Sequence, residues 1–283
     1  MKTLYVSDLD GTLLDGNSRI PDHTLEKLNA LIREGLLFTV ATGRSYTSVT
    51  PVVSGLELEL PAILLNGVHL FDLSAKRTVY TRYIGKQEAR AVLSVLKREG
   101  TTPFAYKMRE DGNINMYYDE ITNDTARAYI NDRSLYYSKL CSYEVVERRN
   151  LFQVCESPQI SFLFAVDGQD DRLERVQEEI QKIPFVSCHF YKEERIGMSS
   201  VEIFASDAGK GKGISYLKRQ TGADRVVSFG DNFNDIGMKA ASDLFCVVDN
   251  APPEVKKHAD VIIGSNREDG VLRLILDDLR IHS

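Results

Sequence analysis

Cysteine is sparse in this sequence, and nothing pairs what there is. Cys141, Cys155, Cys188 and Cys246 are the four, and no two stand in C-x-x-C spacing. Only Cys188, beside His189, sits close to a histidine. A disulfide scaffold and a zinc ribbon are therefore excluded, and the four read as free thiols in a reducing compartment. Long apolar runs are missing too. None approaches the roughly 18 residues of a membrane-crossing helix. The first residues, MKTLYVSDLD, enter a strand at once and leave no room for a signal peptide. The expectation is a cytoplasmic protein that does not engage a membrane. An excess of positive charge is also lacking. Lys and Arg total 35 against 41 Asp and Glu, a net charge of -6, which argues against a partner bound through a nucleic-acid backbone. A local basic pocket is still allowed. There is no low-complexity linker, internal repeat or long charge run.

What is present fits a globular chain of two domains. Hydrophobic residues make up 43% and charged residues 27% of 283, enough for a substantial core without disulfides. The first third alternates strand and helix. LYVS reads as a buried strand; Leu25, Leu28, Leu31 and Ile32 recur at helical spacing between Pro21 and Gly35; LLFTVAT and AILLN (62–66) read as further strands. Continuous apolar strands separated by helices predict a parallel sheet covered on both faces. The middle is different. FAYKM, INMYYD, QISFLFAVD and FVSCHFY are longer and less uniformly apolar, with helical patterns at Ala89, Val92, Leu93, Leu96 and at Leu173, Val176, Ile180. Alternation returns with VVSF, LFCVV, VIIG and a last helix through Val271, Leu272, Ile275 and Leu279. The simplest layout is a discontinuous α/β domain, residues 1–84 and 203–283, with an α+β domain, residues 85–202, inserted into it.

Four short stretches could carry chemistry. In VSDLDGTLLDG (6–16) an apolar strand runs into Asp8 and Asp10. Residues i and i+2 of an extended segment point to one side, so the two carboxylates would converge and repel unless a proton or cation intervenes. Magnesium, a hard cation that takes one or two carboxylates with phosphate and water, meets that need. An ordinary turn explains the same residues, since Asp and Gly favour turns. VATGR (40–44) offers the Thr42 hydroxyl and the Gly43 N–H. GDNFND (230–235) offers Asp231, Asn234 and Asp235 behind a buried strand. AGKGKGIS (208–215) sets Lys210 and Lys212 before a helix, and is not a Walker A loop. Taken singly, each of these has a plain reading as turn, cap or exposed lysine.

Their order, D-x-D-G-T, T-G-R, K-G, G-D-x-x-N-D, resembles the haloacid dehalogenase (HAD) superfamily of phosphohydrolases, in particular its Cof-type branch. The resemblance spans essentially the whole chain, and LLNGVHLFD (64–72) and NREDGV (266–271) support it. It implies a Rossmann-like parallel-sheet core with an inserted α+β cap that governs substrate specificity. It implies a phosphoric monoester hydrolase that uses magnesium and a small-molecule phosphate ester. Asp8 would be the nucleophile that forms an aspartyl-phosphate, and Asp10 the acid and then the base. The Leu9 N–H, Thr42, Gly43, Lys210 and Asn234 would contact phosphate. Asp8, the Asp10 carbonyl and Asp231 would hold the metal, and Asp235 would orient the loop or an outer water. Lys210 rather than Lys212 fits the register, because Ile214 and Leu217 then share an apolar face. A phosphotransferase on the same scaffold and a phospho-aspartate signalling module stay open, as does the substrate: phosphosugars, pyridoxal phosphate, flavin mononucleotide and nucleotides all qualify. Oligomeric state is open as well.

Overall fold

The computed structural model describes residues 1–139, 146–193 and 198–282. Its chain forms two compact units, Met1–Tyr80 with Gly209–Ser283, and Thr81–Ala208. In chain order the first segment carries β1 (Thr3–Ser7), α1 (Asp22–Arg33), β2 (Leu37–Val40), α2 (Tyr46–Val49), β3 (Ala62–Leu64), β4 (His69–Asp72) and β5 (Arg77–Thr81). The inserted segment carries α3 (Lys86–Arg98), β6 (Thr102–Met108), β7 (Ile114–Tyr118), α4 (Asp124–Lys139), β8 (Val146–Arg148), α5 (Leu151–Val154), β9 (Ile160–Asp167), α6 (Asp170–Ile180), β10 (Val186–Glu193) and β11 (Met198–Ala205). The returning segment carries α7 (Lys210–Thr221), β12 (Arg225–Gly230), α8 (Ile236–Lys239), β13 (Leu244–Val248), α9 (Pro253–Lys256), β14 (Val261–Ile263) and α10 (Gly270–His282).

The first unit is built on a parallel sheet of order β14-β13-β12-β1-β2. β1, paired on both sides, is buried from Leu4 to Ser7, which is why that stretch is a continuous apolar run rather than an alternating one. Leu28 and Ile32 of α1, Ile214 and Leu217 of α7 and Ile275 of α10 pack into the same core. A small antiparallel sheet, β3-β4-β5, continues from the parallel one through a bridge between Ala41 and Ile63. The parallel-sheet α/β architecture expected from the sequence is present.

The second unit has a six-stranded sheet of order β10-β11-β9-β6-β7-β8, antiparallel except for the β7–β8 pair. Its own core joins Val92, Leu93 and Leu96 of α3 to Leu173, Val176 and Ile180 of α6 over Leu163, Ala165 and Val201. Elsewhere on the sheet Tyr106 stacks on Phe162 with ring centroids 4.1 Å apart, and Tyr129 packs on Phe104 and Phe164. The unit's limits lie outside the expected 85–202. Ile84 donates its N–H to the Ile160 carbonyl at 2.9 Å. At the other end β11 pairs with β10 through Ala205, so a division after residue 202 would cut a strand.

Cys155, Cys188 and Cys246 are free and buried, and burial pushes each thiol up to about 12. Cys141 lies outside the described residues. No helix among the described residues is long and apolar enough to cross a membrane.

Candidate active site

Register brings three of the four sequence stretches to one end of the sheet, and the start of α7 brings the fourth. Ser7, the last residue of β1, pairs with Phe229 of β12 on one side and Val40 of β2 on the other. The residues that follow each strand are therefore neighbours at the carboxyl ends, where open parallel sheets place their ligands. Asp8 N–H donates to the Phe229 carbonyl at 2.9 Å, and Ala41 N–H to the Ser7 carbonyl at 2.8 Å.

Lys210 occupies the middle of this end. Its side chain is fully buried, and Nζ lies 2.6 Å from Asp8 Oδ1 and 2.6 Å from Asp235 Oδ1. Burial alone would strip the lysine of its proton, but Asp235 and Asp8 outweigh it and hold the ammonium charged. Asp235 is committed on both sides, since its Oδ2 accepts the N–H groups of Asp231 and Asn232 at 2.9 and 3.0 Å. Asp8 is pushed well above the usual carboxylate range by burial, against the pull of Lys210 and with Asp235 and Asp231 adding to the rise. Burial, with Asp235 behind it, pushes Asp231 up to about 7, while the Thr12 hydroxyl, donating at 3.2 Å, works against the shift. Lys212 is exposed, whereas Ile214 and Leu217 are buried, the register expected for Lys210.

The two paired aspartates do not converge as an extended segment would have them. β1 stops at Ser7, and Leu9–Leu13 forms a turn closed by Leu14 N–H donating to the Leu9 carbonyl at 2.9 Å. The turn needs Gly11, at φ +82°, because a Cβ there would stand 2.2 Å from Asp231 Oδ2. Asp10 is thereby swung out of the carboxylate cluster, and its two oxygens accept from Arg44 Nε and Nη2 at 2.7 and 2.5 Å. Leu9 is a core residue. The T-G-R stretch thus supplies a guanidinium whose role went unassigned from sequence, although its place directly after Thr42 and Gly43 was visible.

Thr42 is buried, and its Oγ1 accepts the Arg44 N–H at 3.2 Å, leaving its own proton to donate. Gly43 is exposed. Asn234 Nδ2 donates to Asn66 Oδ1 at 3.1 Å. Asn66 belongs to LLNGVHLFD, a stretch noted in the sequence without any residue of it being given a site role.

The cluster suits a divalent cation. Asp8, Asp231 and Asp235 can each place one oxygen within 4.8 Å of the others. Three buried or partly buried carboxylates face one lysine, so an uncompensated negative charge remains there, and hard oxygen donors match a hard cation. With both oxygens of Asp235 already engaged, Asp8 and Asp231 are the carboxylates that would hold the ion.

A buried aspartate paired with a lysine at the carboxyl ends of a parallel sheet, beside further carboxylates and N–H donors, is an arrangement suited to phosphoryl transfer. The chain is a phosphoric monoester hydrolase. It belongs to the haloacid dehalogenase-like hydrolases, whose family profile matches residues 5–275. It is 26% identical to pyridoxal phosphate phosphatase YbhA of Escherichia coli, over 96% of this chain and 97% of that one. It is 25% identical to the 5-amino-6-(5-phospho-D-ribitylamino)uracil phosphatase YwtE of Bacillus subtilis, over 97% of each. The fold is that of TM0651 from Thermotoga maritima, with a TM-score of 0.74 at 23% identity over 98% of this chain and 97% of that one.

Proposed function

We propose that the chain hydrolyses the phosphate ester of a small metabolite by way of a phosphoryl group carried on Asp8, with magnesium as the cation. The observation that carries this reading is the buried Asp8 carboxylate, 2.6 Å from Lys210 Nζ and backed by Asp231 and Asp235. A carboxylate needs no base to make it a nucleophile; its obstacle is meeting another anion. Bound magnesium supplies positive charge that lowers this obstacle. Asp8 attacks phosphorus, an Oδ–P bond forms, and the bond from phosphorus to the leaving oxygen breaks. Asp10 leaves Arg44, takes up a proton from solvent and gives it to that oxygen. Water then attacks the same phosphorus, Asp10 takes its proton, the Oδ–P bond breaks, and inorganic phosphate departs. Lys210 offsets the charge that builds on the phosphoryl oxygens, while the Leu9 and Gly43 N–H groups, the Thr42 hydroxyl and the Asn234 amide donate to them.

These groups address phosphate and cation, which every ester shares. Discrimination between leaving groups is therefore assigned to the inserted unit, Thr81–Ala208. The named relatives' substrates are both small phosphate esters that bear a nitrogen heterocycle, which puts that class beside the sugar phosphates. Phosphate release should be measured over sugar phosphates, pyridoxal phosphate, flavin mononucleotide, the ribitylaminouracil phosphate and nucleotides. Release from none of them, or only when an acceptor sugar is added, would overturn the hydrolase reading. Exchanging residues 81–208 for the corresponding segment of a relative should reorder the substrates and keep the magnesium requirement; an unchanged order would remove the inserted unit from substrate choice.

A further inference from the structure

The loop after β3 carries an unusual backbone. Leu65, Asn66 and Gly67 all lie in the left-handed region, at φ +49°, +53° and +92°. Leucine is disfavoured there by roughly 1–2 kcal/mol, and single residues rather than runs are the rule. Such a conformation persists only where its surroundings enforce it, and functional sites are where it gathers.

The surroundings here are the loops of the phosphoryl site. Asn66 N–H donates to the Thr42 carbonyl at 3.0 Å, and Leu65 N–H to the Arg44 carbonyl at 3.1 Å. The Asn66 side chain lies over Gly43, where a Cβ would stand 3.3 Å from its Oδ1. The same Oδ1 receives Asn234 Nδ2 at 3.1 Å. Next to it, Gly67 sits against the start of α7, where a Cβ would come within 2.1 Å of the Gly209 carbonyl carbon and 2.7 Å of Lys210 N. Three residues thus touch the loop after β2, the loop after β12 and the residue that presents Lys210.

We infer that Asn66 is a positioning residue for phosphoryl transfer: its side-chain oxygen fixes the Asn234 amide while its backbone fixes the Thr42–Arg44 loop, so that donors from two loops converge on one phosphoryl group. The oxygen is the part that matters. An amide carbonyl accepts from Asn234 Nδ2 and thereby dictates which end of the Asn234 amide faces the site. Without it Asn234 is free to rotate, and its donor is aimed only part of the time. The left-handed backbone is what brings a side chain from this loop back over Gly43, and asparagine is among the residues that tolerate that region best. This inference rests on the proposed phosphate site.

The test is a double-mutant cycle with Asn66→Gly and Asn234→Ala, read on p-nitrophenyl phosphate with magnesium in excess. Glycine keeps the left-handed backbone and deletes only the side chain. One lost hydrogen bond of ordinary strength corresponds to about a five- to tenfold change. Asn66→Gly should lower kcat/KM by that factor and weaken inhibition by inorganic phosphate in parallel, with the melting temperature moved by only a few degrees. The double variant should be scarcely worse than Asn234→Ala alone. Multiplicative losses, or a drop in melting temperature without loss of phosphate inhibition, would overturn the positioning role while leaving the phosphate site intact. If Asn234→Ala alone were without effect, the site reading would fall and the positioning role with it.

Discussion

Removing the Lys210 ammonium should damage the site in two separable ways. The side chain is fully buried and bridges Asp8 and Asp235 at 2.6 Å each. Lys210→Ala leaves two buried carboxylates facing each other with Asp231 beside them. Breaking a buried ion pair from one side costs about 3–5 kcal/mol, most of it from the charge left behind. Taking away a preorganised charge from the transferring group lowers the rate by about 10²–10³. The variant should therefore unfold at a distinctly lower urea concentration near neutral pH and lose kcat/KM by at least about 10². The stability deficit should shrink as the pH is lowered. The orphaned carboxylates bind protons more readily folded than unfolded, so they penalise folding progressively as pH rises and not below the ordinary carboxylate range. Lys212→Ala provides the control, because that lysine is exposed. Its loss should change kcat/KM by less than about fivefold, in line with the small worth of surface charges. Equal losses for the two variants, or a Lys210→Ala enzyme that keeps wild-type activity, would refute the reasoning.

Asp8→Asn should fold and retain under a few per cent of turnover, because an amide of the same shape cannot be phosphorylated; rapid phosphate release by this variant would rule out the covalent route. Full turnover in excess chelator, with metal shown absent, would dismiss the cation, since the cluster would otherwise lose activity reversibly. In chelator the wild type should also lose stability as pH rises between about 4 and 7. Asp231 is pushed up to about 7 from 3.8, so the folded state holds the extra proton across that window. Asp231→Asn should make that slope shallower, the remainder coming from the raised Asp8, and exceed the wild type at pH 8 by roughly 2 kcal/mol after allowance for solvent screening, while losing activity; a slope as steep as the wild type's in urea titrations of the variant would exclude Asp231 as a source. Arg44→Ala should change the turnover of alkyl phosphates more than that of p-nitrophenyl phosphate, because the guanidinium holds Asp10 in the resting site and only poor leaving groups need Asp10's proton. Identical changes on both substrates would disconnect Arg44 from acid catalysis.

Much of this was legible in the sequence where backbone period and burial coincide. β1, β2 and β12 are buried on both faces, so they appear as apolar runs, and the loops behind them held the acidic and glycine-flanked residues found at the sheet end. Lys210 could be told from Lys212 because Ile214 and Leu217 fix which face of α7 is inward. α4 was missed because, where its side chains are described, the inward Ala126, Tyr129 and Ile130 are set among polar ones. Asp10 was placed beside Asp8 on strand geometry, whereas the strand ends one residue before Asp8 and a turn takes over. Asn66 was visible only as the N-G pair of LLNGVHLFD, a turn signal, since a hydrogen bond to a residue far along the chain leaves no local pattern.

The position of β1 between β2 and β12 has a consequence for how the protein is made. β1 and β2 are within forty residues of the start, but the other neighbour of β1 is residues 225–229. Until that strand leaves the ribosome, one edge of this buried strand has its N–H and C=O groups unpaired, and such edges recruit foreign strands. The inserted unit, with a hydrophobic core of its own, lies wholly between Thr81 and Ala208. It can therefore fold while β1 still waits. Asp8 acquires Lys210 and Asp231 only after the chain has closed this long loop, so catalytic competence waits until the chain has passed Asp235.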